Sequence, residues 1–169
     1  MDTKLTLDQI HLAIRNSNIW DKRSDIMIPN LSWGLLPYEA DFVVVNKSGY
    51  MTEIEIKRSL KDFKADFKKC HKHDDERIYK FAYCVPESIC ERAVSFIREQ
   101  NPDKPDYMLP AVIYYSEDMC IWFTELKYFD NYNAPKRRKL FLEEMLTVAR
   151  LGQLRYWARV EKDCKEEQR

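Results

Sequence analysis

Two strand-like runs joined by a short turn decide the fold: Y-E-A-D-F-V-V-V-N at 38–46 and Y-M-T-E-I-E-I-K-R at 50–58. Valine, isoleucine, phenylalanine and threonine dominate both runs, as they do in β-strands. The turn between them is Lys47-Ser48-Gly49. A glycine at its end is typical of a three-residue hairpin loop, in which that glycine adopts a left-handed conformation. The sequence therefore predicts an antiparallel hairpin.

The length of the turn determines which side chains face each other across the hairpin. With a three-residue loop, Asp41 lies opposite Glu55. Glu39 then lies opposite Lys57. A two-residue loop would instead shift the pairing by one residue and put Asp41 opposite Ile54. The sequence leaves both registers open, and we take the first as the working hypothesis.

Carboxylates that face each other between apolar residues repel, and a divalent cation would neutralise the repulsion between Asp41 and Glu55. Oxygen ligands of this kind suit Mg²⁺ or Mn²⁺. Lys57 shares a strand face with Glu55, where its ammonium can orient a metal-bound water or stabilise the charge of a phosphate. Together these groups suit hydrolysis of a phosphodiester. The alternative is a half-exposed amphipathic strand whose charges are simply solvated.

Apolar periodicity on both sides of the hairpin predicts a mixed α/β domain with one central sheet. Thr6 and Ser59 are the predicted N-caps of the first two helices. The predicted helices cover 7–17, a segment starting at Ser59, 86–100 and about 137–163, and the further strands cover 78–85, 109–115 and 119–124. Residues 18–37 are expected to form a loop. The aromatic residues expected in the core are Tyr114, Tyr115, Trp122 and Phe123.

Composition limits the classes of function. The chain has 169 residues, 45% of them hydrophobic, so we expect a single domain over 1–169 with a core over about 5–125. Lys and Arg total 28 and Asp and Glu total 28, which excludes nucleic-acid binding through bulk positive charge. The apolar runs are far shorter than the roughly 20 residues of a membrane span, so we expect no membrane partner and a cytoplasmic location.

Positive charge is nevertheless concentrated after the hairpin. Between Lys57 and His73, seven Lys and Arg residues accompany two Asp residues. The residues predicted to contact nucleic-acid phosphates are Lys61, Lys64, Lys68, Lys69 and Lys72. The alternative is a solvated helix face. Capping and the neighbouring lysines account for Asp62 and Asp66, and a phosphate contact is the role considered for His71 and His73.

The hairpin residues Glu39-Ala40-Asp41 and Glu55-Ile56-Lys57 resemble the active-site signature of the PD-(D/E)XK nuclease superfamily. The residues that follow resemble the MmcB-like DNA-repair proteins and related phage-type proteins; they are Ser59, Asp62-Phe63, Ala65-Asp66, Lys68 and Tyr83-Cys84-Val85-Pro86-Glu87. The resemblance covers about residues 31–88. It implies an α/β protein with a restriction-endonuclease-like αβββαβ core, in which helices flank a central mixed sheet. The long C-terminal helix is added to that core.

The resemblance also implies roles for individual residues. Asp41, Glu55 and the backbone carbonyl of Ile56 would be metal ligands, and Lys57 would be the catalytic lysine. Ala40 replaces the proline that gives the motif its name. The implied activity is that of a Mg²⁺- or Mn²⁺-dependent deoxyribonuclease, in DNA repair or in a phage or mobile element.

Some branches of the superfamily take a further ligand from a glutamate of the first helix. Asp8 is the acidic residue available there, and Glu39 on the strand is a possible substitute, so one metal ion or two remain open. Two other functions also stay open: a non-catalytic nucleic-acid-binding module with the nuclease fold, and an interaction factor that uses the C-terminal helix. DNA is the expected partner, with a homodimer or a protein partner also considered.

Overall fold

The protein is built on a six-stranded sheet flanked by helices, as described by a computed structural model for residues 3–31, 34–67, 73, 75–126 and 137–167. The strands in these residues are β1 (Ile26–Leu31), β2 (Ala40–Val45), β3 (Met51–Ile56), β4 (Ile78–Pro86), β5 (Ala111–Tyr115) and β6 (Ile121–Phe123). The α-helices are α1 (Leu7–Asn16), α2 (Leu60–Asp66), α3 (Cys90–Gln100) and α4 (Leu142–Glu167). Short 3-10 turns lie at Glu87–Ile89 and Asp106–Met108.

The strands lie side by side in chain order, from β1 at one edge to β6 at the other. β1, β2 and β3 pair antiparallel, β3 pairs parallel with β4 and β4 with β5, and β6 pairs antiparallel with β5. Parallel neighbours need a crossover connection, which α2 and α3 provide. The predicted mixed sheet is therefore confirmed, and the first six elements follow the order αβββαβ.

The hairpin between β2 and β3 has the three-residue loop that the sequence predicts. The Asn46 N–H donates to the Tyr50 carbonyl at 3.0 Å, and the Gly49 N–H donates to the Asn46 carbonyl at 2.9 Å. Gly49 has a φ of +85°, a conformation that favours glycine. Phe42 pairs with Ile54, which is the first of the two registers considered.

Each face of the sheet carries its own hydrophobic core, because side chains alternate along the strands. On one face, Ile10 and Ile14 of α1 pack with even-numbered residues of β2 and β3. On the other face, Phe63 of α2, Ile97 of α3 and Val148 of α4 pack with odd-numbered residues of the same strands. The charged residues of β3 project to this second face.

The first two helices begin at the predicted caps. The Thr6 side chain accepts from the Gln9 N–H, and the Gln9 side chain accepts from the Thr6 N–H at 2.8 Å, which completes a capping box. The Ser59 side chain accepts from the Asp62 N–H at 3.1 Å. The cap at Ser59 starts α2 only three residues after β3, which keeps the helix above the end of that strand.

The sequence did not predict β1, which lies within the expected loop over 18–37. The strand contains Pro29, which lacks an N–H, and Asn30 has a φ of +49°. Both features are unfavourable inside a sheet, so the sequence of this segment favours a turn. Proline is tolerated here because β1 is an edge strand.

The C-terminal helix starts later and ends later than the predicted 137–163. Residues 137–141 are not helical, because their backbone groups bind elsewhere: the Arg138 N–H donates to the Glu76 carbonyl and the Leu140 N–H to the Gly49 carbonyl, both at 2.9 Å. Within the described part of the chain, no helix is both long enough and apolar enough to cross a membrane.

Two of the four aromatic residues expected in the core lie at the surface. Tyr115 is buried and Tyr114 is half-buried, whereas Trp122 is 56% exposed and Phe123 is 41% exposed. Both exposed residues belong to β6, a three-residue strand at the edge of the sheet. An alternating pattern cannot show that a strand lies at an edge, which explains the error.

A glycine allows α4 to approach β1 closely. A Cβ atom on Gly152 would lie 2.8 Å from Ile28 Cδ1 and 3.0 Å from its Cγ1, which is shorter than normal contact. The sequence marks this glycine only as a weak point in the helix. In the structure it is the point at which α4 contacts the sheet.

We expect Gly152→Val to lower the free energy of unfolding by about 1–3 kcal/mol, because the added methyl groups force Ile28 and the helix apart. Gln153→Val is the matched control, since it places the same β-branched residue in the helix at an exposed position. Urea denaturation measures both. Ile28→Ala should recover part of the loss; an equal effect of both valines would show that helix propensity is the cause.

Candidate functional site

The candidate site begins where β2 and β3 separate. The last paired residues towards this end are Phe42 and Ile54. Beyond them, the Ile56 N–H donates to Asp41 Oδ2 at 2.8 Å, so a side-chain carboxylate occupies the place of a backbone acceptor. The register puts the half-buried Asp41 beside Glu55, as predicted for a three-residue loop.

Three charged side chains of β3 and its end are buried beneath the helices of the second face. Glu53 is 0%, Glu55 4% and Lys57 2% exposed. The Lys57 N–H donates to the Cys84 carbonyl at 2.9 Å, which fixes the backbone of the lysine against β4. The alternative of a half-exposed strand with solvated charges is therefore wrong.

The Lys57 ammonium is held between two carboxylates. Its Nζ lies 2.6 Å from Glu55 Oε1 and 2.8 Å from Asp66 Oδ1. Burial alone would lower the pKa of Lys57, but the charge of Glu55 and the hydrogen bonds to Asp66 and Glu55 outweigh burial and raise it. The side chain is therefore a fixed positive charge at neutral pH.

Asp66, in the last turn of α2, connects Lys57 to the rest of the cluster. The Tyr83 hydroxyl donates to Asp66 Oδ2 at 3.0 Å, and His73 Nε2 lies 3.4 Å from the same oxygen. The carboxylate is almost completely buried. The sequence interpretation attributed Asp66 to capping and to neighbouring lysines; in the structure Ser59 caps α2, and Asp66 pairs instead with the buried Lys57.

A second pair, between His73 and Glu53, lies beside the first. His73 Nδ1 is 2.7 Å from Glu53 Oε1, and the Tyr38 hydroxyl donates to Glu53 Oε2 at 2.9 Å. The imidazole also stacks on Phe81, with ring centroids 4.5 Å apart. Burial alone would lower the pKa of His73, but hydrogen bonds to Asp66 and Glu53 raise it to about 9. His73 is therefore protonated at neutral pH.

Among the described residues, the buried cluster contains more acidic than basic side chains. Glu53, Glu55 and Asp66 are acidic, whereas Lys57 and His73 are cationic. The described residues therefore bring together three carboxyl groups and two cationic side chains, with the carboxyl group of Asp41 beside them. A buried carboxylate is unfavourable unless it is paired or binds a metal ion. Binding of a cation would therefore stabilise this cluster.

Two overlapping sets of ligands could hold a divalent cation. One ligand atom each from Glu53, Glu55 and His73 lies within 4.8 Å of the others, which makes them the one such group in the described residues. The set implied by the resemblance is Asp41, Glu55 and the Ile56 carbonyl. Both sets contain Glu55. Carboxylate and carbonyl oxygens suit Mg²⁺ or Mn²⁺. His73 could join them as a ligand only after it loses a proton, because a protonated imidazole has no free lone pair for a metal.

Of the remaining predicted residues, those that the structure describes lie outside the cluster. Glu39 is exposed, and its carboxylate lies 3.4 Å from Arg155 of α4. Lys61 and Lys64 are exposed on α2, and Lys64 Nζ lies 4.9 Å from the centroid of the Phe96 ring. The other residues predicted to meet phosphates, Lys68, Lys69, Lys72 and His71, lie outside the described residues.

Sequence reasoning gave four members of the cluster no role in the site: Tyr38, Glu53, Asp66 and Tyr83. It considered a phosphate contact for His73, whose side chain is instead buried and paired with Glu53. Asp66 could have been found, because it lies three residues after the buried Phe63 and so on the same face of α2. Glu53 shares a strand face with Glu55, but a charged residue on a strand is ordinarily expected at the surface, so the sequence offers no reason to place Glu53 in the site. No local pattern marks His73 or the tyrosines.

Comparison with known proteins supports the fold and is silent on function. No family model and no curated protein matches the sequence. Among solved structures, the chain is similar to the SPO1766 protein of unknown function from Silicibacter pomeroyi, with 12% identity and a TM-score of 0.59. The similarity covers 99% of this chain and 97% of that chain. At this level of identity the similarity is one of overall fold.

The pairing of His73 makes stability depend on pH. A base whose pKa is raised by folding stabilises the protein below its unfolded pKa, and this contribution is lost as pH rises through the folded pKa. We expect His73→Gln to cost on the order of 2 kcal/mol near pH 6. The difference from wild type should shrink between about 6.5 and about 9 in urea titrations.

His11 provides a control of opposite sign. It is buried on the other face of the sheet, and burial lowers the pKa of its imidazole. The stabilisation by neutral His11 is present above about 6.5 and is lost as pH falls through its lower folded pKa. The cost of His11→Gln should therefore grow with rising pH. Parallel pH curves for both variants would contradict the ion pairing of His73.

Proposed function

We propose that the protein is a divalent-metal-dependent nuclease that hydrolyses DNA phosphodiester bonds, in DNA repair or in a phage or mobile element. The observation that carries the proposal is the placement of three groups at one end of the hairpin. The Asp41 carboxylate lies on the Ile56 N–H where β2 and β3 separate, and the Lys57 ammonium contacts Glu55 at the end of β3. These are the residues that resemble the PD-(D/E)XK signature.

The architecture also supports this proposal. The αβββαβ order and the mixed sheet agree with a restriction-endonuclease-like fold, which we include in the proposal. In that fold the hairpin residues would act beside the helix that follows them, here α2. Ser59 caps this helix, and the exposed Lys61 and Lys64 lie on it, close in sequence to Lys57.

Each of the hairpin residues has a distinct task in the proposed reaction. Asp41, Glu55 and the Ile56 carbonyl would hold the cation, which when bound supplies an activated water and positive charge for the phosphate. Lys57 keeps its proton because its pKa is raised, so it would not act as a general base. Its ammonium would instead stabilise the negative charge that develops on the phosphate oxygens.

The exposed lysines of α2 would bind the DNA backbone. Lys61 and Lys64 carry their charges at the protein surface, where they can neutralise phosphates and release counterions. Because the net charge of the whole chain is zero, binding would depend on this local patch. The affinity for DNA would therefore fall as the salt concentration rises.

The sharpest test of the nuclease is Asp41→Asn. The amide oxygen can still accept the Ile56 N–H bond, so the fold is kept while the charge that would bind the cation is lost. We expect DNA cleavage in Mn²⁺ to fall by about 10²-fold or more, and EDTA to abolish cleavage by the wild type. Cleavage of labelled single-stranded and duplex DNA is the measurement.

Asp118→Asn is the matched control, because Asp118 is exposed at the turn between β5 and β6 and loses the same charge. Its cleavage rate should equal that of the wild type. Full activity of Asp41→Asn, with Mn²⁺ still required, would place the cation elsewhere. Absence of any Mn²⁺-dependent product on either form of DNA would reject the deoxyribonuclease.

One observation favours a second function, that of a non-catalytic nucleic-acid-binding module. Lys57 and Glu55 are buried and paired with each other, so the cluster could serve as an ionic core that only maintains the fold. In that case the lysines of α2 would remain as the binding surface. The protein would then bind nucleic acid without cleaving it.

The double variant Lys61→Ala, Lys64→Ala distinguishes the two functions from each other. The binding module predicts salt-dependent DNA binding that weakens several-fold in this variant, with no Mn²⁺-dependent product from the wild type. The nuclease predicts product, with a raised KM in the variant. Fluorescence anisotropy with labelled DNA measures the binding. Unchanged affinity in the variant would exclude α2 as the binding surface.

A further inference from the structure

The Lys57 ammonium joins two carboxylates of different character. Glu55 belongs to both candidate sets of cation ligands, and its Oε1 lies 2.6 Å from Nζ. Asp66 lies 2.8 Å from Nζ on the other side and is not a member of the group whose ligand atoms lie close together. One lysine therefore bridges a carboxylate that could bind metal and a carboxylate on a separate helix.

A divalent cation and an ammonium compete for the same carboxylate oxygens. If a cation binds Glu55, its charge repels Lys57, and the Lys57–Glu55 contact must weaken. Lys57 is buried, however, and a buried ammonium that loses its partners is strongly destabilising. Binding of the cation is therefore favourable only if another acceptor keeps hold of the lysine.

Asp66 is suited to be that acceptor because its own position is fixed. Its Oδ2 accepts from the Tyr83 hydroxyl at 3.0 Å and faces His73 Nε2 at 3.4 Å, which leaves Oδ1 directed at Lys57. The helix that carries it is held by the Ser59 cap and by the buried Phe63. Asp66 can therefore retain the ammonium without moving.

We propose that Asp66 is a positioning residue that retains the Lys57 ammonium when a divalent cation takes Glu55. The cation then does not drive the lysine out of the site, and Lys57 stays beside the place of the substrate phosphate. This inference rests on the part of the proposed function in which a cation binds at Glu55. It assigns to α2 a task in the site that the hairpin residues alone cannot perform.

The test is Mn²⁺ affinity, measured on the full chain by electron paramagnetic resonance and calorimetry. We expect Asp66→Asn to weaken Mn²⁺ binding by about tenfold or more, because the ammonium then stays with Glu55. Asp62→Asn is the matched control: it lies one turn earlier on the same helix, is exposed, and should bind Mn²⁺ as the wild type does. Tyr83→Phe should show a smaller loss.

A double variant separates positioning from a merely structural role. Lys57→Met removes the competing ammonium, so Asp66→Asn should cause no further loss of Mn²⁺ affinity in that background. Lys57→Met, Asp66→Asn should bind Mn²⁺ more tightly than Asp66→Asn alone. Circular dichroism checks that each variant is folded, and Tyr83→Phe retains both charges if Asp66→Asn does not fold.

The outcomes distinguish this proposal from the proposed function. Wild-type affinity in Asp66→Asn, or a double variant as weak as Asp66→Asn, would overturn the role of Asp66. Mn²⁺ binding with the expected pattern but no cleavage of DNA would support the role of Asp66 and reject the nuclease. A wild-type protein that binds no Mn²⁺ would overturn the proposal, since no cation would then displace Lys57 from Glu55.

Discussion

The contact of one buried ammonium with two carboxylates is the constraint on which the rest of the site depends. Lys57 reaches Glu55 on its own strand and Asp66 on α2, so a single side chain ties the helix to the end of β3. Removal of either carboxylate would leave Lys57 with one buried partner instead of two and would weaken the contact between α2 and β3. The short connection at Ser59 brings the helix to the distance that this contact requires.

The neighbouring pair of His73 and Glu53 is likewise a buried cation held by a carboxylate. The Tyr38 hydroxyl donates to the second oxygen of Glu53 and the Tyr83 hydroxyl to the second oxygen of Asp66, so the oxygens of both carboxylates are held in defined directions. A site built in this way is rigid before any ligand arrives, and rigidity is what a catalytic group needs. The same rigidity would also suit a purely structural core. A measurement of metal affinity therefore distinguishes a functional site from a structural core better than a measurement of stability does.

The parts that sequence could predict are those set by local chemistry. Gly49 determines the loop of the hairpin and hence the neighbours of Asp41, and Thr6 marks the start of α1. β1 could not be predicted because a proline such as Pro29 favours a turn. The proline is compatible with a strand here only because β1 lies at the edge of the sheet. The role of His73 could not be predicted because its partner Glu53 lies 20 residues away in the sequence, and only the folded chain brings the two together.

The two edges of the sheet share a property that limits how this protein can associate. β1 carries a proline at Pro29, and β6 ends after three residues, so within the described residues neither edge presents a long row of backbone donors and acceptors. Such edges resist the addition of a strand from another chain and thereby resist aggregation. The exposed apolar side chains of α4, among them Leu146 and Trp157, offer another molecule a surface that does not depend on strand pairing.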